Sequence, residues 1–192
     1  MRYDLEIRSY PAVTEQEIAD RAEMLRLAGV YGDAILTRAS DTAHMTGSGF
    51  IVDPAGNKTL MVFHNIYRSW SWTGGHADGQ EDLLEVALRE AREETGAEVR
   101  PLWPEPVALD IIPVYSHFKR GAYVRAHMHL NLTYALVARE DAPLAVKPDE
   151  NSAVAWIGED EMREMVSEPP MLEVYEKIWQ RIRAGMEARG LR

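Results

Sequence analysis

The chain has 192 residues, enough for one domain with a sizeable core and short for two. Hydrophobic residues make up 46% and charged residues 27%, an ordinary globular balance, and the formal net charge of -10 speaks against broad binding to long nucleic acid. The absence of cysteine excludes disulfides, thiolate catalysis and a cysteine zinc site.

No apolar run approaches the roughly 18 residues that span a bilayer. The start, MRYDLEIRSY, carries acids and lacks the apolar core of a signal peptide. A cytoplasmic protein with no membrane partner is the default expectation. Residues 1–12 read as a short mixed segment ending near Pro11. Thr14 and Glu17 then form a capping-box pattern that opens a helix over 15–29, resuming towards 38, with Ile18, Ala22, Leu25 and Gly29 on one side. Residues 1–40 are therefore expected to be a helical extension packed on a core domain of residues 41–192.

From Ser48 the period changes. SGFIVD and TLMVFHN flank Pro54-Ala-Gly-Asn57 and read as a hairpin. Alternation through Arg68-Ser-Trp-Ser-Trp-Thr73 puts Trp70 and Trp72 on one face, either as core or as a stacking surface for a flat substrate group.

The stretch from Gly74 to Ala97, GGHADGQEDLLEVALREAREETGA, predicts a helix ended by Gly96, a residue that tolerates the left-handed conformation. Leu84, Leu88 and Ala91 make its apolar stripe. Glu90, Glu93 and Glu94 gather on another face at i, i+3 and i+4, where like charges repel by a few tenths of a kcal/mol per pair, roughly. Neither Glu90 nor Glu94 has a lysine or arginine four residues on. A hard divalent cation would relieve the repulsion, and oxygen ligands suit Mg2+ or Mn2+, which take further ligands from phosphate oxygens. Arg89 is one turn from both Glu85 and Glu93 and can pair with either.

Beyond this helix, EVRPLW (98–103) reads as a strand broken by Pro104, and ALDIIPVYSHF (108–118) as a second, edge-type strand. Lys119-Arg120-Gly121 makes a turn. AHMHLNLTYALVA (126–138) is the clearest strand: Met128, Leu130, Leu132, Tyr134 and Leu136 fill one face, and His127, His129, Asn131 and Thr133 the other. So polar a face in a central strand suggests a pocket wall, with His127 and His129 as substrate contacts. A zinc site of His117, His127 and His129 is the alternative, less favoured beside a carboxylate cluster. An acidic, proline-rich loop (139–152), a last strand (153–158), a short helix and a C-terminal helix complete the chain.

The 74–97 stretch resembles the Nudix box, G-x5-E-x7-R-E-U-x-E-E-x-G-U with U a bulky aliphatic. Gly75, Glu81, Arg89, Glu90, Glu93, Glu94 and Gly96 match every fixed position, whereas Ala91 and Ala97 occupy the two U positions and Asp78-Gly79-Gln80 replaces the usual turn. The resemblance implies an α/β (α+β) fold, a Nudix-type α/β/α sandwich around a mixed β-sheet with a C-terminal helix. It implies a metal-dependent hydrolase of a pyrophosphate bond in a nucleoside diphosphate linked to another moiety, such as ADP-ribose, or in a nucleoside triphosphate. In that reading Glu90, Glu93 and Glu94 hold one to three Mg2+ or Mn2+ ions, with Glu93 and Glu94 the principal ligands. Gly75 lets its carbonyl approach a metal, and Arg89 orients Glu93. Glu81 either assists a second metal or only ties the loop to the helix, and the general base is either Glu93 or the distant Glu150. A noncatalytic nucleotide-sensing module and an RNA-end pyrophosphohydrolase are the alternatives. Many relatives pair, so the resemblance admits a homodimer.

Overall fold

The computed structural model describes residues 2–119 and 121–191. Its chain order is α1 (Tyr3–Ser9), α2 (Glu15–Tyr31) and a 3-10 turn (Gly32–Leu36), then β1 (Ala43–Val52), β2 (Lys58–His64), β3 (Ser69–Ser71), β4 (Thr73–His76) and α3 (Leu83–Thr95). Next come β5 (Arg100–Val114), β6 (His117–Lys119), β7 (Ala122–Val124), β8 (His127–Val137), β9 (Asn151–Gly158), α4 (Glu159–Met165) and α5 (Pro169–Ala188).

Seven strands form one sheet of order β3-β2-β1-β8-β5, in which β4 also pairs with β1 and β9 with β2. β1 is buried along its whole length. It runs parallel to β8, from Ala43 opposite Met128 to Val52 opposite Val137, and antiparallel to β2 and β4. The sheet is therefore mixed, and helices cover both faces. Against one face pack α1, α2 and α3, with Ile7, Met24, Leu83, Val86, Ala91 and Leu132 fully buried. Against the other pack α4 and α5, with Phe50, Met162, Ile178 and Trp179.

Side-chain alternation explains how this second face carries both core and cavity. Along β1 the residues on it run His44, Thr46, Ser48, Phe50, Val52; along β8 they run His127, His129, Asn131, Thr133, Ala135. The apolar ends join the core under α5. The polar ends lie beyond the helix and open into a cavity. The opposite face of β8 is apolar as its pattern predicts, with Leu130, Leu132, Tyr134 and Leu136 buried.

Helix α3 has Asp82 as N-cap, accepting from the Glu85 N–H at 3.4 Å, and Gly96 at its end in the left-handed conformation (φ 69°). Its buried stripe is Leu83, Val86, Ala87, Leu88 and Ala91, so Leu84 lies at the margin of the expected stripe and not in its centre. The helix lies close on β1: a Cβ on Gly47 would stand 2.5 Å from the Leu83 carbonyl oxygen.

Three local expectations are corrected. Residues 3–9 are helical, because Tyr3 and Ile7, one turn apart, bury against the core. Pro104 does not break a strand: β5 runs from Arg100 to Val114, with register shifts between Pro101 and Ala108. It is an edge strand, where a missing N–H leaves no partner unsatisfied, and the irregularity absorbs the prolines. The strand expected over 108–118 ends at Val114, and His117 belongs to the separate β6–β7 ribbon. The turn expected at Lys119-Arg120-Gly121 contains Arg120, which lies outside the described residues. The Thr14 cap is present, its Oγ1 accepting from the Glu17 N–H at 3.1 Å. Among the described residues no helix is long and apolar enough to cross a membrane.

Candidate active site

The cavity has a volume of about 870 Å³. Its walls include Glu90 and Glu94 of α3, Lys147 and Glu150 of the loop before β9, Gly74 to His76 of β4, and the polar ends of β1 and β8.

Three carboxylates converge there. Oxygens of Glu90, Glu94 and Glu150 all lie within 4.8 Å of one another. Glu90 and Glu94 meet because i and i+4 stack on one helical face. Each is received by a glycine of β4. The Gly74 N–H donates to Glu94 at 3.0 Å, and the missing side chain of Gly75 leaves the space that Glu90 occupies. Burial pushes the Glu94 carboxyl up to about 8, opposed by the Gly74 N–H and reinforced by the charges of Glu90 and Glu150.

Glu150 arrives from 56 residues further along the chain than Glu94, and the reason is a pinned loop. The Ala145 N–H donates to the Thr95 carbonyl at 2.8 Å, and the buried Asn151 donates through Nδ2 to the Glu94 carbonyl at 3.0 Å. The Asn151 side chain also accepts from the Lys147 N–H at 3.2 Å. The loop is thus tied to the end of α3, with Lys147 and Glu150 over the carboxylates.

Lys147 was not singled out by sequence. Its Nζ is 2.9 Å from Glu150, 3.0 Å from Glu93 and 4.0 Å from Glu90. Burial pulls its pKa down, but bonds to Glu150 and Glu93 and the charge of Glu90 outweigh this and leave it raised. No helical spacing announces a lysine 53 residues beyond Glu94; the only signal was its place beside Glu150 in the same loop.

The remaining predicted residues divide. Glu93 stands outside the three-carboxylate group, half exposed and paired with Lys147. Arg89 bonds Glu90 at 2.9 Å and reaches Glu93 only at 3.9 Å, so its closer partner is Glu90 and not the expected Glu93. Glu81 sits on the loop before α3 and is not among the cavity walls. Trp72 is on the wall with its ring 5.2 Å from Tyr175, edge to face. Trp70 instead packs against Phe63 at 5.8 Å, away from the cavity walls. Asn131 accepts from Thr46 and Ser48, each at 2.8 Å, and donates to Thr133 at 3.0 Å, which makes a rigid polar floor. His127 and His129 line the cavity, as do His44, His76 and His117; His44 and His76 join them in one group of ligand nitrogens, and His117 does not. Burial lowers the pKa of His44 and, with the neighbouring rings, that of His129 further.

A buried carboxyl beside two others is a costly arrangement, and the Lys147 ammonium only partly offsets it, since Glu94 remains raised. Three acids on a helix and a loop, with a glycine cradle, have the chemistry of a hard divalent-cation site. The chain matches the family model described as NUDIX domain over residues 44–178. It belongs to the NUDIX domain family. The m7GpppN-mRNA hydrolase NUDT17 of Xenopus laevis is 30% identical to this Nudix chain over 117 residues, covering 58% of the chain and 38% of that protein. The chain thus spans about two-fifths of the relative it matches. Among solved structures, a NUDIX-family hydrolase from Clostridium perfringens superposes with a TM-score of 0.52 at 20% identity, over 71% of this chain and 96% of that one. A UDP-X diphosphatase superposes with a TM-score of 0.52 at 16% identity, over 95% and 91%. The Nudix fold, a mixed sheet between helices, is therefore established, as the box residues led one to expect.

Proposed function

We propose that this Nudix chain is a Mg2+- or Mn2+-dependent pyrophosphohydrolase that cleaves the diphosphate of a nucleoside diphosphate derivative. The observation that carries the proposal is the convergence of Glu90, Glu94 and Glu150, with Glu90 seated in the space left by Gly75. Those residues fit a hard cation: they supply only oxygen, Lys147 and Arg89 leave the buried Glu94 carboxyl raised, and the glycine leaves room for one ligand.

When bound, the cation neutralises phosphate charge and makes a bound water more acidic. The chain's own groups do the rest. Glu90 and Glu94 would hold the cation. Glu150, on the loop that overhangs them, is positioned to take the proton of the attacking water. Lys147 provides a second positive charge for a phosphate oxygen. Glu93 and Arg89 act as the outer frame, Arg89 fixing Glu90. The cavity is of nucleotide size, and Trp72 and Tyr67 on its walls offer flat surfaces for a base or another planar group.

An RNA-end substrate is the second reading, favoured by the likeness to the m7GpppN-mRNA hydrolase NUDT17. The net charge of -10 disfavours a long RNA and leaves a capped or triphosphorylated end as the portion held. The test is a panel of ADP-ribose, UDP-sugars, dinucleoside polyphosphates, nucleoside triphosphates and cap analogues, with and without Mg2+ or Mn2+, scored by product mass. Metal-dependent cleavage at the diphosphate is expected. No cleavage of any member, with binding retained, would instead favour a noncatalytic sensor.

A further inference from the structure

The same cavity wall holds a second group of metal-ligating side chains that hydrolysis does not use. His44 of β1, His76 of β4, and His127 and His129 of β8 meet with ligand nitrogens all within 4.8 Å of one another. Sheet register brings them together: His44 is opposite His129 across the parallel pair, and His76 is opposite Thr46, one pleat along. Their ring centroids lie 4.8 to 5.3 Å apart in five of the pairs.

The hydrogen bonds fix which nitrogens face inward. His44 Nδ1 lies 3.1 Å from the Ser40 carbonyl, and a carbonyl only accepts, so Nδ1 carries the proton. Its Nε2 then holds a lone pair, yet that atom is buried without a hydrogen-bond partner and the residue is only 5% exposed. An orphaned buried acceptor costs about 1–3 kcal/mol. His127 repeats the pattern: Nδ1 donates to the Arg125 carbonyl at 2.8 Å, and Nε2 faces His129 Nε2 at 3.2 Å. Nδ1–H donation to a backbone carbonyl is how a metal-ligating imidazole is held in place.

We propose that His44, His76, His127 and His129 bind one transition-metal cation, Zn2+ in preference to Mg2+, at a centre separate from the carboxylates. Imidazole nitrogens select such cations over hard ones. Tetrahedral Zn–N bonds of about 2.0–2.1 Å set ligand nitrogens about 3.3 Å apart, close to the His127–His129 spacing, so the wider pairs need to draw in by at most about 1.5 Å. The ion would tie β1, β4 and β8 together and present positive charge to the cavity. This centre stands or falls independently of the hydrolase reading, because it shares no ligand with it.

The test uses the full chain without a histidine tag, stripped by chelator and titrated with Zn2+ in excess Mg2+ against a chromogenic competitor. Bound metal is counted after gel filtration, and the Co2+ form is read by its absorption. The expected result is one retained Zn2+, a tetrahedral Co2+ spectrum, and binding weakened roughly tenfold or more in His129→Gln and in His127→Gln. His127 is only partly buried, so His127→Gln preserves the fold, as circular dichroism would verify. Glu94→Gln should bind Zn2+ as the parent does. Failure to retain Zn2+ over Mg2+, retention unchanged in folded His127→Gln, or loss in folded Glu94→Gln would overturn the proposal.

Discussion

Gly75 and Glu90 compete for one volume: a Cβ on residue 75 would stand 2.5 Å from the Glu90 carboxyl carbon and 2.6 Å from one of its oxygens. The glycine of the box thus serves the carboxylate across from it, in addition to any role of its own carbonyl. Gly75→Ala should swing Glu90 out of the group while β4 keeps its pairing with β1. Turnover is expected to fall roughly tenfold to a hundredfold, as for other small misplacements of catalytic groups. Thermal unfolding should change little. Full turnover in this variant would separate Glu90 from the reaction.

Glu94→Gln keeps an oxygen for the Gly74 N–H and removes the ionisable carboxyl that a cation would hold deprotonated. The kcat should drop by at least about tenfold. The parent should gain thermal stability from added Mg2+, and the variant should lose most of that gain, because stabilisation by a ligand follows its affinity for the folded state. Calorimetry with Mg2+ and with EDTA measures both. An equal Mg2+ response in the two proteins would remove Glu94 from the ligands.

Glu150 and Asn151 are neighbours with separable effects. Asn151 is wholly buried and holds the loop through Glu94 and Lys147, so Asn151→Ala should cost about 1–3 kcal/mol in denaturant unfolding and reduce turnover as well. Glu150→Gln should reduce kcat with no comparable loss of stability. If Glu150→Gln turns over at the parent rate, another group accepts the proton.

Glu6 offers a pH test remote from the cavity. It is buried, accepts from the Tyr134 hydroxyl at 3.1 Å, and burial raises its carboxyl to about 7. An acid raised in the folded state binds protons more tightly there than when unfolded. Its contribution is therefore most favourable below the ordinary carboxylate pKa and is lost as pH rises through about 7. Glu6→Gln keeps the acceptor and abolishes the titration. The variant should match the parent near pH 4 and exceed it near pH 8 by on the order of 1–3 kcal/mol. Parallel stability–pH curves for the two proteins would contradict this.

The box helix and the strand over 127–137 were legible because their signals are local. Glu90 and Glu94 share a face through i, i+4 geometry, Gly96 ends the helix by its own conformational freedom, and alternation alone sorts Leu130 and Leu132 from His129 and Asn131. Glu150 was reached through a family likeness, and its local sequence carries no mark of the carboxylates it joins.

What short-range periodicity determined was therefore the main strands and the acids of one helix, while the kind of fold came from the likeness of that helix to the Nudix box. Tertiary structure alone decided that Lys147 enters their midst, that Glu93 stands aside, that Trp70 turns to Phe63, and that His44 and His76 join the histidines of β8. The physical reason is one of range. Helix and strand periods are set by dihedral angles over a few residues, whereas these meetings depend on strand register and on a loop fastened by Ala145 and Asn151 to α3, 50 or more residues earlier in the chain.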